Sequence, residues 1–193
     1  MLTDFKSSLR PALVMTALFA VLLGVFYPLA LTGIGQAAFP HQANGSLIVD
    51  NGKTIGSELI GQTFTADRYF HGRPSAAGKG YDASASSGSN LAPTARALAD
   101  RVRADVKAAP PSPDQSVPAD LVTTSASGLD PDLSPEAALY QVDRVAKARG
   151  IDPVVLRGLI ASQTAHPLLG IIGEERVNVL AVNRALDRML TRP

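Results

Sequence analysis

The chain has 193 residues, 18 of them basic and 17 acidic, and no cysteine. Near-neutral charge leaves no basic face for nucleic acid. Without thiols there is no disulfide framework, thiol nucleophile or thiolate metal site.

Residues 11–36 form an uncharged run, and residues 12–31 inside it are almost wholly apolar. A helix of about 20 residues at about 1.5 Å each spans a hydrocarbon core of roughly 30 Å. The spacing therefore predicts a transmembrane helix over 12–32. No face of this run is polar, which argues against a surface helix of a soluble fold. Lys6 and Arg10 precede it, and the next basic residue is Lys53. Cationic flanks stay inside, so residues 1–11 are predicted to be cytoplasmic and residues 33–193 to form an extracytoplasmic domain at the inner membrane. The alternative is a cleaved signal peptide, with Gly35-Gln36-Ala37 as a small-x-small site, but its apolar region is usually about 7–15 residues. Beyond residue 32 there are sixteen basic and sixteen acidic residues, with no polybasic stripe for anionic lipid.

The outer part is long enough for one domain with a core of its own. Ser46-Leu47-Ile48-Val49 and Lys53-Thr54-Ile55 read as two short strands around the tight turn Asp50-Asn51-Gly52. Ile60, Phe64, Tyr69 and Phe70 follow in a strand-and-loop stretch. Residues 73–90 are loop-like, rich in glycine and serine. A helix is predicted over 93–107, where Leu91, Ala95, Leu98, Val102 and Val106 repeat at three and four. Residues 108–119 hold four prolines and form a connector within the domain. Leu121-Val122-Thr123 is a candidate short strand. Ser134 caps a helix with Pro135 at its first position and Gly150 at its end. Asp152-Pro153 opens another helix, to about Gln163. Asn178 is the candidate cap of a last one, whose apolar face is Val179, Val182, Leu186 and Met189. The fold class is α/β in the broad α+β sense: one transmembrane helix, then a compact domain of short strands and about four helices.

The candidate chemical sites are sparse. His41, His71 and His166 are widely spaced, so no helical metal pair is encoded. The stretch Ser84-Ala85-Ser86-Ser87-Gly88-Ser89-Asn90 can present backbone N–H groups to a phosphate, but the Gly-Lys-Ser/Thr ending of a Walker loop is missing. An ordered surface loop is the plainer reading. In Tyr69-Phe70-His71-Gly72-Arg73-Pro74-Ser75, Arg73 can clamp an anion and His71 can titrate near neutrality. The plainer reading is a structural turn with Arg73 on a backbone carbonyl. Asp130 and Asp132 lie in a turn with too few carboxylates for an EF-hand loop. No Gly-x-Ser-x-Gly elbow occurs. Ala20 and Gly24, four apart in the anchor, allow close approach of a partner helix.

Several motifs in order carry a resemblance. They open with Tyr27-Pro28-Leu29 and Thr32-Gly33, Ala43-Asn44-Gly45-Ser46, and Gly56-Ser57-x-Leu59-Ile60-Gly61-Gln62. Tyr69-Phe70-x-x-Arg73-Pro74-Ser75, Ser86-Ser87-Gly88-Ser89-Asn90-Leu91 and Pro118-x-Asp120-Leu121-Val122-Thr123 follow. Ser125-x-Ser127-Gly128-Leu129-Asp130-Pro131 and Arg176-Val177-Asn178-Val179-Leu180-x-x-Asn183-x-Ala185-Leu186-Asp187 complete the series. Together they resemble the C subunit of the bacterial Kdp potassium-transporting P-type ATPase. The resemblance implies three protein partners: a channel-like potassium subunit, a P-type ATPase subunit and a very small single-span subunit. It implies a non-catalytic role as a chaperone that raises the ATPase subunit's affinity for ATP. No cofactor is then tightly bound, and ATP is reached through the ATPase subunit. Gln141 is the position that the resemblance makes nucleotide-binding, and Ala20, Gly24 and Arg73 are partner-interface candidates. The topology resists direct contact with ATP, which is cytoplasmic. An outer domain can instead bias one state of the transport cycle from a distance. The alternatives from other classes are a membrane-anchored extracytoplasmic hydrolase using His71 or His166, and a free-standing binding module.

Overall fold

The computed structural model describes residues 2–109 and 116–190. The chain divides into two units, residues 1–47 and 48–193.

The first unit is mainly one helix. It comprises α1 (Leu2–Val21), a π-helical turn (Leu22–Phe26) and α2 (Tyr27–Ala38). Within it, Phe5–Ala38 is long and apolar enough to cross a membrane, and none of its most apolar stretch is buried. The helix outruns the predicted 12–32 span at both ends, through Pro11 on one side and Gly33 and Gly35 on the other. Hydropathy marks where lipid fits, whereas helical hydrogen bonding continues until a residue breaks it. Here the break is Phe39, at φ −138°. Pro40 follows, and a proline disfavours the α conformation in the residue before it. The short α3 (Pro40–Ala43) folds back so that the Asn44 amide donates to Gln36 Oε1 at 3.0 Å and to the Pro40 carbonyl at 2.6 Å.

The second unit holds the core. β1 (Leu47–Asp50), which opens at the junction, and β2 (Lys53–Ser57) form the expected hairpin, with Asn51 and Gly52 both at positive φ as a tight turn requires. No named strand follows in residues 58–90; the chain runs through loops with a 3₁₀ turn at Ala83–Ala85. α4 (Arg96–Ala108) begins three residues later than predicted, because Pro93 sits in a preceding turn. Of the predicted connector, residues 110–115 lie outside the described residues. The candidate strand at 121–123 is instead the end of a 3₁₀ turn, Ala119–Leu121, and the Thr123 hydroxyl donates to the Ala119 carbonyl at 2.7 Å.

The helix predicted from Ser134 to Gly150 is two helices, α5 (Pro135–Tyr140) and α6 (Val142–Arg149). Ser134 Oγ accepts from the Ala137 N–H, and Gly150 closes α6 at φ +66°. The break is at Gln141, whose N–H bonds to the Ala138 carbonyl, a tightened 3₁₀-type turn. α7 (Pro153–Gln163) is capped by Asp152. α8 (Val179–Leu190) is capped by Asn178 Oδ1, which accepts from the Ala181 N–H at 3.0 Å.

Three very short strands tie these helices together: β3 (Asp132–Leu133), β4 (Thr164–Ala165) and β5 (Arg176–Asn178), antiparallel in the order β3-β5-β4. The main core gathers Ala138, Val142, Val145, Leu156, Ile160, Val177, Val182 and Leu186 from α5–α8 and β5 around Phe70, which is wholly buried. Each valine, leucine, isoleucine or phenylalanine among them contributes about 1.5–3 kcal/mol on burial. A smaller cluster of Leu133, Ala137 and Val179, flanked by Phe64 and Leu121, seals the β3 edge.

Candidate functional site: a clasped arginine groove

Phe70 and His71 are held by two amide side chains. Asn183, from α8, accepts from the Phe70 N–H at 2.8 Å and donates to the Phe70 carbonyl at 2.9 Å. Gln141, at the α5–α6 break, does the same for His71, at 2.8 and 3.0 Å. Both amides are buried. Each imitates a strand partner, so a segment without a β-ladder still has its polar groups satisfied. The helix break therefore has a purpose: it turns the Gln141 side chain onto His71.

This clasp positions a groove of about 260 Å³, lined by His71, Gly72, Arg73, Gln141 and Arg144, with Asp105 from α4. Arg73 donates to Asp130 Oδ2 at 2.9 Å, so its partner is a carboxylate rather than the backbone carbonyl expected from sequence. Its Nε is buried without a hydrogen-bond partner. Arg144 donates to the Asp67 and Tyr69 carbonyls at 2.7 and 3.0 Å and to Gln141 Oε1 at 2.7 Å. Gln141 also donates to the Ala137 carbonyl at 3.3 Å, so both ends of its amide are occupied. Beside the groove, the Tyr81 hydroxyl donates to the Arg73 carbonyl at 2.9 Å. Burial and the nearby Asp130 push it up to about 12.

His71 lies within this network, with Nε2 at 3.1 Å from the Ala66 carbonyl and 3.4 Å from Arg144 Nη1. Either neutral tautomer finds a partner there: a protonated Nε2 donates to Ala66, and a bare one accepts from Arg144. Burial, then the Arg144 charge, hold His71 below its ordinary 6.5. A depressed histidine contributes stability that is present above the unfolded value and is lost as pH falls through the folded one. Acidifying the full-length protein from pH 7.5 to 5 should lower its melting temperature. His71→Gln should flatten that dependence relative to the parent, and parallel curves would refute the assignment.

The other sequence candidates sit elsewhere. His166 Nδ1 pairs with Glu175 Oε1 at 2.8 Å on the exposed β4–β5 hairpin. Asp130 is occupied by Arg73 and by the Asp132 N–H, and Asp132 by Arg176 and Asn178. The glycine–serine stretch packs loop on loop. Ser86 Oγ donates to the Ser127 carbonyl and Ser87 Oγ to the Ala76 carbonyl, so both hydroxyls are engaged by neighbouring loops. Ala20 lies in α1 and Gly24 in the π turn, and a Cβ added at Gly24 would meet nothing within 4 Å. Among the described residues, no group of three or more His, Asp or Glu side chains is placed to hold a metal ion.

Sequence reasoning missed Arg144 and Arg149 altogether. Arg149 is almost wholly buried, ion-paired to Asp187 at 2.8 Å and stacked 4.7 Å over the Tyr69 ring. Tyr69 in turn donates to Asp187 at 3.0 Å. The available signal was two arginines on α6 at positions 144 and 149, where a helix end usually carries solvated charge.

Comparison with known proteins finds relatives over almost the whole chain. The family described as "KdpC: K+-transporting ATPase, c chain" matches residues 9–188. The potassium-transporting ATPase KdpC subunit of Caulobacter vibrioides (strain NA1000 / CB15N) is 61% identical over 183 residues, covering 94% of this chain and 93% of that protein. The KdpC subunit of Acidobacterium capsulatum is 58% identical over 181 residues, covering 94% of this chain and 98% of that protein. That of Bradyrhizobium diazoefficiens is 54% identical over 193 residues, covering 93% and 96%. With that family model matched over residues 9–188 and relatives at 54–61% identity over most of its length, the chain belongs to the KdpC family, the c subunit of K+-transporting ATPases.

Proposed function

We propose that this subunit is non-catalytic, that its domain lies outside the cytoplasm, and that it supports assembly of a high-affinity potassium uptake complex. In this reading it raises the ATP affinity of the ATPase subunit indirectly, by favouring one state of the transport cycle from the outer face. ATP hydrolysis belongs to another subunit. The channel-like, ATPase and small single-span subunits are its partners, and Ala20 and Gly24 mark where a partner helix packs against the anchor.

The observation that carries the indirect route is the state of Gln141. It is buried, and its amide is spent on His71, Ala137 and Arg144. To touch a nucleotide it would have to release the His71 backbone, leaving buried groups unsatisfied at about 1–3 kcal/mol each. Gln141 therefore acts by holding the groove in shape.

Truncation after Asn44, which keeps the anchor, should weaken assembly and lower the affinity of the complex for potassium and ATP. The reading fails if all three are unchanged. Its topology is checked by labelling intact cells with a membrane-impermeant thiol reagent, using Ala148→Cys on the exposed end of α6 or Ser8→Cys. Labelling of the first alone is expected. Labelling of the second alone would place the domain with cytoplasmic ATP and restore direct contact.

A further inference from the structure

The β4–β5 hairpin ends in a tip that buries nothing. Leu168, Leu169, Ile171 and Ile172 are 66, 82, 82 and 60% exposed. Isolated exposed aliphatics are ordinary, but four within five residues form a contiguous patch of the kind that marks an interaction site. The tip is not a loose loop. Leu168 and Ile172 exchange both backbone hydrogen bonds, at 2.9 and 3.0 Å, and the Gly170 N–H bonds to the Pro167 carbonyl at 3.0 Å. Leu169 stands at φ +55°, a conformation that costs a β-carbon residue energy. Below it, His166–Glu175 and the Ala165–Arg176 pairing lock the two arms. The protein thus holds four apolar side chains in a fixed outward arrangement, which lowers the ordering cost of binding.

The flanking charge decides what the tip fits. A loop built to enter an anionic bilayer surface carries lysine or arginine at its edges and an interfacial tryptophan or tyrosine. Residues 165–175 contain none of these, and Arg176 at the base of the hairpin is paired with Asp132. They carry instead two acids, exposed Glu174 and Glu175, which an anionic surface repels. We infer that the tip at residues 168–172 is a docking knob that inserts into an apolar pocket, rimmed by basic groups facing Glu174, on another protein subunit of the same K+-transporting ATPase. The inference rests on the reading that the outer domain supports assembly, and it names the surface that does so.

The test is co-purification of the transporter's other subunits with the full-length chain in detergent. Leu169→Asp with Ile171→Asp should reduce recovery at least tenfold. Leu169→Met with Ile171→Leu should leave it unchanged. Both side chains lie outside the core, so the melting temperature of the isolated chain should not fall. Full recovery with the aspartate pair would overturn the inference. The truncation after Asn44, run in parallel, separates the two claims. Assembly lost on truncation but kept by the aspartate pair refutes the knob alone; assembly kept in both refutes the outer-domain reading as well. A second measurement sets protein against lipid. Ile171→Cys carries an environment-sensitive dye in the full chain, reconstituted into phosphatidylethanolamine–phosphatidylglycerol vesicles. A blue shift only when the other subunits are present supports the knob. A blue shift in the chain alone, quenched by lipid-borne spin labels, would assign the tip to the bilayer and overturn it.

Discussion

Asn183→Leu should destabilise the mixed domain by about 2–5 kcal/mol, although leucine has the same number of side-chain heavy atoms as asparagine and the same branching. The side chain is 1% exposed and lies among the apolar residues of α8, so an apolar replacement looks benign on hydrophobic grounds. The loss comes from Phe70. Its N–H and carbonyl are buried and bonded to the Asn183 amide, and each buried group left unmade costs about 1–3 kcal/mol. Urea unfolding followed by tyrosine near-UV circular dichroism measures this, since Tyr69, Tyr81 and Tyr140 all lie in the domain. A loss below about 1 kcal/mol would mean that water replaces the amide. Gln141→Leu should behave alike, and the double variant should lose less than the two singles added. The two clasps fix adjacent residues, so once one is open the other has less to hold.

The second large effect is expected at Gly128. Its φ of +66° is open to glycine and strained for other residues. A Cβ there would lie 2.8 Å from the Ala77 Cβ and backbone nitrogen and 2.7 Å from the Ser87 carbonyl oxygen. Neither neighbour is the free end of a flexible side chain. Strain of about 1–3 kcal/mol and overpacking of a similar size both apply, so Gly128→Ala should cost about 2–5 kcal/mol. The damage should reach the groove, because Ser75 Oγ donates to the Gly128 carbonyl at 2.6 Å and accepts from the Tyr81 N–H at 2.8 Å. Gly158→Ala is the control, since a Cβ there meets nothing within 4 Å in the middle of α7. Equal melting temperatures for parent and Gly128→Ala would show that the three loops do not close on one another as described.

What was legible in the sequence was local. Ser134, Asp152 and Asn178 announce their helices because each cap acts on an N–H two or three residues away. Gly150 and Asn51-Gly52 mark their turns through the sign of φ. The strands β3, β4 and β5 were not legible, since two or three residues cannot display an alternating pattern. Nor was the split at Gln141, where the apolar spacing continues and only a distant backbone requires the break. Within the site, Arg73, His71 and Gln141 were visible by type and by resemblance. The pairing of Arg73 with Asp130, the role of Arg144 and the clasped backbone were not, because most of these contacts join residues far apart in the chain. Arg149 was hidden for a different reason: an arginine at a helix end ordinarily faces water, and here the Tyr69 ring, Asp187 and the Arg68 carbonyl make its burial tolerable.

The amide clasps also set an order of events during synthesis. Phe70 waits for a residue 113 positions further on, and His71 for one 70 positions further on. Until Asn183 has left the ribosome, the centre of the domain has its aromatic plug but no second hand to grip it. The chain therefore cannot mature progressively from its N-terminus, as a string of independent modules does. A chain that stops short of α8 lacks Asn183, and with it the groups that satisfy the Phe70 backbone.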